Sequence, residues 1–165
     1  MSPRLKVLKT WKLYVNGEFP RTESGRNHVI KDRKGVAIAQ ACSASRKDLR
    51  NAVSAARKAG PAWEKRTPFN RGQILYRMAE MLEGKADECV ALLAATVPGG
   101  ERRARKEVSA ACDRLVHYAG WADKFIQVLG NGNPVAGPFY NFTIPEPTGL
   151  VGVIAPDEEP LLGLV

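Results

Sequence analysis

The side chains best suited to chemistry lie near the end of the printed sequence. An acidic triplet, Asp157-Glu158-Glu159, follows a short apolar run, Leu150 to Ala155. Turn residues bound this run on both sides, which predicts a strand buried on both faces, as in a parallel sheet. Open α/β sheets bind ligands beyond the carboxyl ends of their strands. The triplet could bind a cation or supply a general base, but we favour a solvated acidic turn because no second set of ligands accompanies it.

The cysteines and histidines form no pattern typical of a metal site or a disulfide framework. Cys89 and Cys112 lie at apolar positions of predicted helices, where a buried thiol is expected, and Cys42 follows a predicted strand. We therefore predict three reduced thiols that are not catalytic, and no metal site. His28 and His117 are isolated, and we expect His117 to be interfacial or partly buried rather than an acid or base.

Glycines and basic residues near these positions give no further site. Gly149, Gly152 and Gly163 do not form the G-x-G-x-x-G pattern of a dinucleotide-binding loop. The basic run Arg102 to Lys106 opens a predicted helix, where cations oppose the helix dipole, so we interpret it as a solvated face. The sequence therefore predicts no phosphate-binding loop of its own.

The charge distribution argues against a nucleic-acid partner. The formal net charge is +8, and in residues 1–50 Lys and Arg outnumber Asp and Glu by 12 to 4. This excess surrounds a predicted hairpin and is not accompanied by a known nucleic-acid module, so we expect no nucleic-acid partner. No apolar run is long enough to cross a bilayer, and the first residues lack the apolar core of a secretory signal. We expect no membrane partner and a cytoplasmic location.

A small antiparallel element is predicted in the first fifty residues. Trp11 to Phe19 alternates apolar and polar side chains around Asn16-Gly17, the dipeptide most typical of a type I′ turn. Val29-Ile30 and Gly35 to Ala41 are predicted as further short strands, and Asp32 to Lys34 as the charged turn between them.

The next helix has clear start and stop signals. Ser45 and Asp48 are spaced as a capping box, in which each side chain can bond a backbone N–H at the start of the helix. The helix should reach about residue 58 and end at Gly60-Pro61, with Trp63 in the connection. Apolar residues at helical spacing predict a core-facing side. They are Leu49, Ala52, Val53 and Ala56.

Two further short helices are predicted after that connection. Thr67-Pro68 supplies an N-cap and a first-turn proline, and Gly84 ends this helix. The other covers about residues 85–96 and ends before Pro98. Their predicted core-facing residues are Ile74, Leu75, Met78, Met81, Leu82, Cys89, Val90, Leu92 and Leu93.

The longest periodic segment, Glu101 to Leu129, predicts one long amphipathic helix. Residues 131–137 are predicted as a loop, and Phe139 to Ile144 as a strand. The buried strand Leu150 to Ala155 then lacks parallel neighbours, because each would require a crossover of a dozen or more residues. We therefore expect a partial sheet, and an exposed apolar tail at Leu161 to Val165.

Two segments resemble the aldehyde dehydrogenase superfamily. They are Tyr118 to Lys124, YAGWADK, and Glu146 to Pro156, EPTGLVGVIAP. The resemblance extends back through Tyr14 to Glu18 and the two helices that follow, so it covers nearly the whole chain. It corresponds to the N-terminal portion of the family's domain.

The resemblance implies an α/β fold: an antiparallel hairpin, a helical layer and the first strand of an incomplete Rossmann-like sheet. Residues 1–165 would form a partial NAD(P)-binding domain, with residues 134–147 in the strand region used for oligomerisation. NAD or NADP is the implied cofactor, with backbone contacts from Ile154, Ala155 and Pro156. The catalytic Cys, its general-base Glu and other cofactor contacts belong to later family segments.

One position departs from the family pattern. Glu158 stands where the resemblance implies an Asn whose amide stabilises the oxyanion, and an ionised carboxylate cannot donate a hydrogen bond there. We therefore assign no catalytic residue to this chain and expect it to be inactive alone.

Two hypotheses remain open. The first is a truncated enzyme whose family reaction oxidises an aldehyde to a carboxylic acid through a cysteine thioester. The second is a non-catalytic assembly module that packs on a catalytic relative or forms a homo-oligomer through its hairpin and apolar C-terminal segment. Asn133 to Phe142 resembles the degenerate second module of tandem-domain relatives, which agrees with the second.

Overall fold

The structure, a computed structural model, describes residues 7–165 apart from the side chain of Asn131. The chain divides into two compact units, Met1–Gly60 and Pro61–Val165. The first contains β1 (Thr10–Trp11), β2 (Asn27–Lys31), β3 (Ala37–Cys42) and most of α1 (Arg46–Glu64). The second contains the end of α1, α2 (Pro68–Glu83), α3 (Ala86–Thr96), α4 (Gly100–Trp121), α5 (Phe125–Leu129), β4 (Asn131–Asn133), β5 (Asn141–Thr143) and α6 (Pro160–Leu164).

The sheet of the first unit is mixed, with strand order β1-β3-β2. The predicted antiparallel pairing of β2 with β3 is confirmed, but β1 pairs parallel to β3, with Thr10 opposite Gln40. The predicted turn is present: Asn16 and Gly17 have φ of 55° and 80°, and Val15 and Glu18 exchange two backbone hydrogen bonds of 3.0 Å. The hairpin does not extend to Trp11, because that residue pairs with β3 instead.

The capping box at the start of α1 is confirmed. The Asp48 N–H donates to the Ser45 hydroxyl at 3.2 Å, and the Ser45 N–H donates to the Asp48 carboxylate at 2.8 Å. This carboxylate is buried and also accepts the Thr22 hydroxyl at 2.6 Å and the Glu23 N–H at 3.3 Å. Because the Thr22 hydroxyl and these backbone N–H groups bond the ionised form, they lower the pKa of Asp48 from 3.8 to about 2. One side chain thus joins the turn at residue 22 to the helix.

Three predictions about α1 were wrong. The helix does not end at Gly60-Pro61 but continues to Glu64 with Pro61 inside it. Although proline removes one backbone donor, its carbonyl still accepts the Lys65 N–H at 3.2 Å. Trp63 therefore lies in the last turn of the helix and not in a connection. The predicted core-facing side is largely exposed, with Leu49 64% exposed.

Close packing of α2 against α4 organises the second unit. The predicted N-cap is confirmed, since the Asn70 N–H donates to the Thr67 hydroxyl at 3.2 Å, and Gly84 caps the C-terminus of α2. A Cβ on Gly72 would lie 2.7 Å from the Ala119 carbonyl oxygen, so only glycine permits this approach. Met78 and Met81, predicted to face a core, are exposed, because Gly72 and Ala79 occupy the buried side of α2.

A small apolar cluster fills the contact between α3 and α4. Val90, Ala104 and Val108 are buried there. Partly buried residues pack against them, and they are Ala86, Cys89, Leu93, Ala94, Cys112 and Leu161. The predicted third helix and the first part of the amphipathic segment are therefore confirmed.

The segment Glu101 to Leu129 is not one helix. It is interrupted after Trp121 and resumes as α5, and a tight turn at the break has the Lys124 N–H donating to the Trp121 carbonyl at 3.0 Å. Residues 131–137 are not entirely loop, because β4 pairs antiparallel with β5, which lies inside the predicted strand Phe139 to Ile144. Pairing between distant residues overrode the weak local signal of the Asn-rich sequence.

Leu150 to Ala155, which we name the apolar strip, is not the predicted buried strand. Its side chains are largely exposed, 69% for Val151 and 98% for Ile154, and no hydrogen bond joins its backbone to the described part of the chain. A parallel strand needs neighbouring strands to pair its N–H and C=O groups, and none of the described strands lies beside it.

Among the helices of residues 7–165, none has the length and apolar character needed to span a membrane.

We expect Gly72→Ala to destabilise the chain by about 1 to 3 kcal/mol, because the new methyl group would press on the Ala119 carbonyl between α2 and α4. Gly120→Ala is the matched control, since it lies on α4 with no atom within 4 Å of the added Cβ. It should stabilise by about 0.5 to 1 kcal/mol. Urea unfolding followed by circular dichroism measures both, and equal effects of the two substitutions would contradict the close-approach argument.

The depressed pKa of Asp48 predicts a pH-dependent loss of stability. The contribution is complete above the unfolded-state value of 3.8 and is lost as pH falls through the folded value of about 2. Between these values the wild type should lose stability more steeply than Asp48→Asn, which cannot ionise. Thermal unfolding of both chains at several pH values tests this expectation, and parallel pH profiles would refute it.

Candidate functional site

The acidic triplet and α6 lie on one face of α4. The buried Glu107 carboxylate accepts the N–H of Leu161 at 2.8 Å and that of Leu162 at 3.2 Å. Each N–H is at the start of α6, where no residue within the helix can accept it. The carboxylate therefore satisfies two backbone donors that would otherwise lack a partner. Glu107 therefore caps α6 from a neighbouring helix.

Two arginines of α4 bond to the same segment. The Arg103 guanidinium donates to the Glu158 carbonyl at 3.0 Å and to the Pro98 carbonyl at 3.2 Å. The Arg114 guanidinium donates to the Leu162 carbonyl at 2.7 Å. Both contacts are with main-chain oxygens, so the path of residues 158–162 is fixed without using their side chains.

The segment also folds back on itself. A Cβ on Gly163 would collide with the Pro156 ring, so the absence of a side chain at residue 163 lets Pro156 pack against α6. The side chains of Asp157, Glu158 and Glu159 are exposed at the resulting turn. Among the described residues, no group of three His, Cys, Asp or Glu side chains is arranged to hold a metal ion.

The predicted cofactor residues precede this turn. Ile154 is fully open to solvent, Ala155 is half-buried and Pro156 is exposed. Their carbonyls and the two N–H groups of Ile154 and Ala155 are free within the described chain, so they are open to main-chain hydrogen bonds with another group. They include no cation and no cluster of N–H groups for a pyrophosphate. The strip therefore fits a nicotinamide dinucleotide only as a partial surface.

The C-terminal residues differ from the predicted exposed apolar tail. Leu161 packs against the Val90, Ala104 and Val108 cluster, and Leu162 is half-buried. Only Leu164 is strongly exposed among the described leucines of α6. The reason is the hydrogen bonding to α4, which turns the segment into a short helix lying on that cluster.

Glu107, Arg103 and Arg114 are positions that the sequence analysis missed. Glu107 lies between Ala104 and Ala111 at helical spacing, on the buried stripe of α4. A carboxylate on such a stripe needs partners, and this was a usable signal. Arg103 belongs to the run interpreted as solvated, yet it bonds to two carbonyls.

An apolar groove of about 470 Å³ lies elsewhere in the second unit. It is lined by Trp63, Arg71, Leu75, Tyr118, Trp121, Ala122, Phe125 and Leu129. Its cation is already engaged, because the Arg71 guanidinium donates to the carbonyls of Glu64 at 3.3 Å and Arg66 at 2.6 Å. The groove thus supplies apolar contact area and no free charge for catalysis.

The cysteines and histidines do not meet at a common site. All three thiols are half-buried, and burial, followed by the nearby carboxylates of Glu83 and Asp113, raises the pKa of Cys112. A raised pKa disfavours the thiolate, which is the nucleophilic form. His117 is exposed rather than partly buried, because it stacks beside Tyr118 and Trp121 on the outer side of α4.

Comparisons with known proteins agree on one family. A model described as "Aldehyde dehydrogenase family" matches residues 19–165. Benzaldehyde dehydrogenase, mitochondrial, from Antirrhinum majus is 38% identical over 157 residues, covering 92% of this chain and 28% of that protein.

Solved structures give the same result. An aldehyde dehydrogenase from Bacillus cereus matches with a TM-score of 0.87 and 29% identity, covering 93% of this chain and 32% of that one. An NAD-dependent aldehyde dehydrogenase from Sinorhizobium meliloti matches with a TM-score of 0.70 and 25% identity, covering 80% and 26%. This chain thus spans about 30% of the length of the relatives it matches. The α/β fold and the N-terminal correspondence are both confirmed.

The buried thiol at residue 112 should be slow to react. We expect iodoacetamide at mildly alkaline pH to alkylate Cys112 several-fold more slowly in the folded chain than in urea, because burial disfavours its thiolate. Mass spectrometry of tryptic peptides over time measures the rate, with the urea-unfolded chain as the control. Equal folded and unfolded rates would show that Cys112 is open to solvent and available as a nucleophile.

Proposed function

We propose, since this chain belongs to the aldehyde dehydrogenase family, that its 165 residues supply the N-terminal part of an NAD(P)-binding domain. The parent reaction is the oxidation of an aldehyde to a carboxylic acid through a cysteine thioester, with NAD or NADP accepting the hydride. The nucleophilic Cys and the general-base Glu are provided by sequence outside these residues. The 165-residue chain alone is inactive.

The apolar strip is the observation that supports this proposal. In the strip Leu150 to Ala155, the side chains of Leu150, Val151, Val153 and Ile154 are exposed, and the backbone groups have no hydrogen-bond partner in the described part of the chain. Exposing several large aliphatic side chains together is unfavourable in water, and their backbone groups are ready to pair with a neighbouring strand. We propose that the strip becomes the first strand of the nucleotide-binding sheet once adjacent strands cover it. Ile154, Ala155 and Pro156 then contact the cofactor through their main chain.

Position 158 limits what the chain can do chemically. The exposed Glu158 carboxylate accepts hydrogen bonds but cannot donate one while ionised. An oxyanion developing beside it would be repelled rather than stabilised. The proposal therefore assigns no catalytic residue to this chain.

Assembly without catalysis is the second candidate function. It is favoured by the hairpin of β4 and β5, where the exposed rings of Phe139, Tyr140 and Phe142 form an apolar surface. A relative or a second copy could pair with this hairpin or with the N-terminal hairpin, and residues 134–147 are the proposed oligomerisation segment. Membership of the tandem-domain branch, absence of a nucleic-acid partner and a cytoplasmic location stay predictions.

The purified chain should form no reduced nicotinamide above the blank when it is incubated with NAD or NADP and benzaldehyde. The physical reason is that no hydrogen bond in the described part of the chain pairs a half-buried thiol with a base, and the Glu158 side chain offers no donor while ionised. Absorbance of the reduced cofactor measures the rate. Turnover that disappears in Cys42→Ser, Cys89→Ser or Cys112→Ser would contradict the proposal.

The same preparation tests the apolar strip. A hydrophobic dye should bind the wild type, and the double substitution Val151→Lys with Val153→Lys should remove most of this binding. The matched control is Leu49→Lys with Val53→Lys, which places two cations on the exposed apolar side of α1. A compact monomer that binds no dye, or dye binding that is insensitive to the strip substitutions, would refute the proposed role of the strip.

A further inference from the structure

Three side chains of α4 hold the segment that carries position 158. We name Arg103, Glu107 and Arg114 the α4 clamp. Their spacing of four and seven residues places them along one side of the helix. Within residues 158–162 they bond only to main-chain atoms: the Glu158 and Leu162 carbonyls and the Leu161 and Leu162 N–H groups. The four bonds are independent of which side chains this segment carries.

The Glu107 carboxylate at the centre of the clamp is buried, so breaking its hydrogen bonds is energetically costly. Glu107 is only 4% exposed, so loss of its two donors would leave a buried polar group without hydrogen-bond partners. Leu161 packs beside it on the cluster of Val90, Ala104 and Val108. One apolar anchor and four polar bonds thus fix five residues of backbone.

The side chain at position 158 is excluded from this arrangement. The Glu158 carboxylate is exposed and forms no hydrogen bond or ion pair with the described part of the chain. Its carbonyl, in contrast, is held by Arg103 at 3.0 Å. The backbone of this residue is therefore positioned while its side chain is free to be exchanged.

We propose that the α4 clamp positions residue 158 through its main chain, so that the chemistry of this position is set by one exchangeable side chain. Arg103, Glu107 and Arg114 are positioning residues, since they act through the segment they hold. The assignment of position 158 as an oxyanion-stabilising position rests on the proposed function. Glu158→Asn would install an amide donor at this site without remodelling the turn.

Amide hydrogen exchange at single-residue resolution tests the clamp on the full chain. Glu107→Ala should raise the exchange rates of the Leu161 and Leu162 amides about tenfold or more, because both lose their acceptor. Glu107→Gln keeps a carbonyl acceptor and should hold these rates within about fivefold of the wild type. Glu101→Ala is the matched control on α4, and it should leave both rates unchanged.

Glu158→Asn separates the main chain from the side chain. If only the backbone of residue 158 is held, this substitution should leave the Leu161 and Leu162 rates within about twofold of the wild type. A rise in these exchange rates as large as that caused by Glu107→Ala would show that the Glu158 side chain helps to hold the segment, and would overturn the proposal.

Two further outcomes would also overturn it. Unchanged Leu161 and Leu162 rates in Glu107→Ala would mean that the two bonds do not hold the segment. An equal rise at Val108 and Leu115 would mean that Glu107 supports the whole unit and positions nothing in particular. The measurement contains no cofactor or aldehyde, so a failed clamp leaves the proposed function standing, and aldehyde turnover by the chain alone leaves the clamp standing.

Discussion

Pairing of backbone hydrogen-bonding groups is the constraint on which this structure depends. Where a partner is near in sequence or on a neighbouring helix, the chain satisfies it, as Asp48 does for the start of α1 and Glu107 for the start of α6. The apolar strip has the composition of a buried strand, but none of the described strands lies beside it, and within the described residues its backbone is unpaired and its side chains are largely exposed. Local sequence alone does not create a strand, because each ladder bond needs a second strand.

Signals that act over a few residues could be read from the sequence. Ser45 with Asp48, Thr67 with Pro68, and Asn16 with Gly17 begin helices or form a turn through contacts within three residues, and each was predicted correctly. Which side of a helix is buried depends on distant partners. Met78 is therefore exposed while Gly72 is buried, because the close approach of α4 selects the small residue.

The site shows the same division between local and distant information. The acidic turn at residues 157–159 and its exposure were readable, since nothing in the sequence offered partners for three adjacent carboxylates. Its attachment to α4 was not, because Arg103 lies 55 residues in sequence from Glu158, and Glu107 lies 54 residues from Leu161. In the local sequence, this long-range contact was indicated by a carboxylate within the apolar stripe of α4.

Two prolines flank the apolar strip and limit aggregation of the chain while the strip is exposed. An exposed apolar segment with free N–H and C=O groups is a template for cross-β stacking between identical molecules. Pro147 and Pro156 bracket these residues, and neither can donate to a ladder. They therefore limit the length of this aggregation-prone segment. Cross-β pairing between the strips of identical chains is thereby confined to the residues between these two prolines.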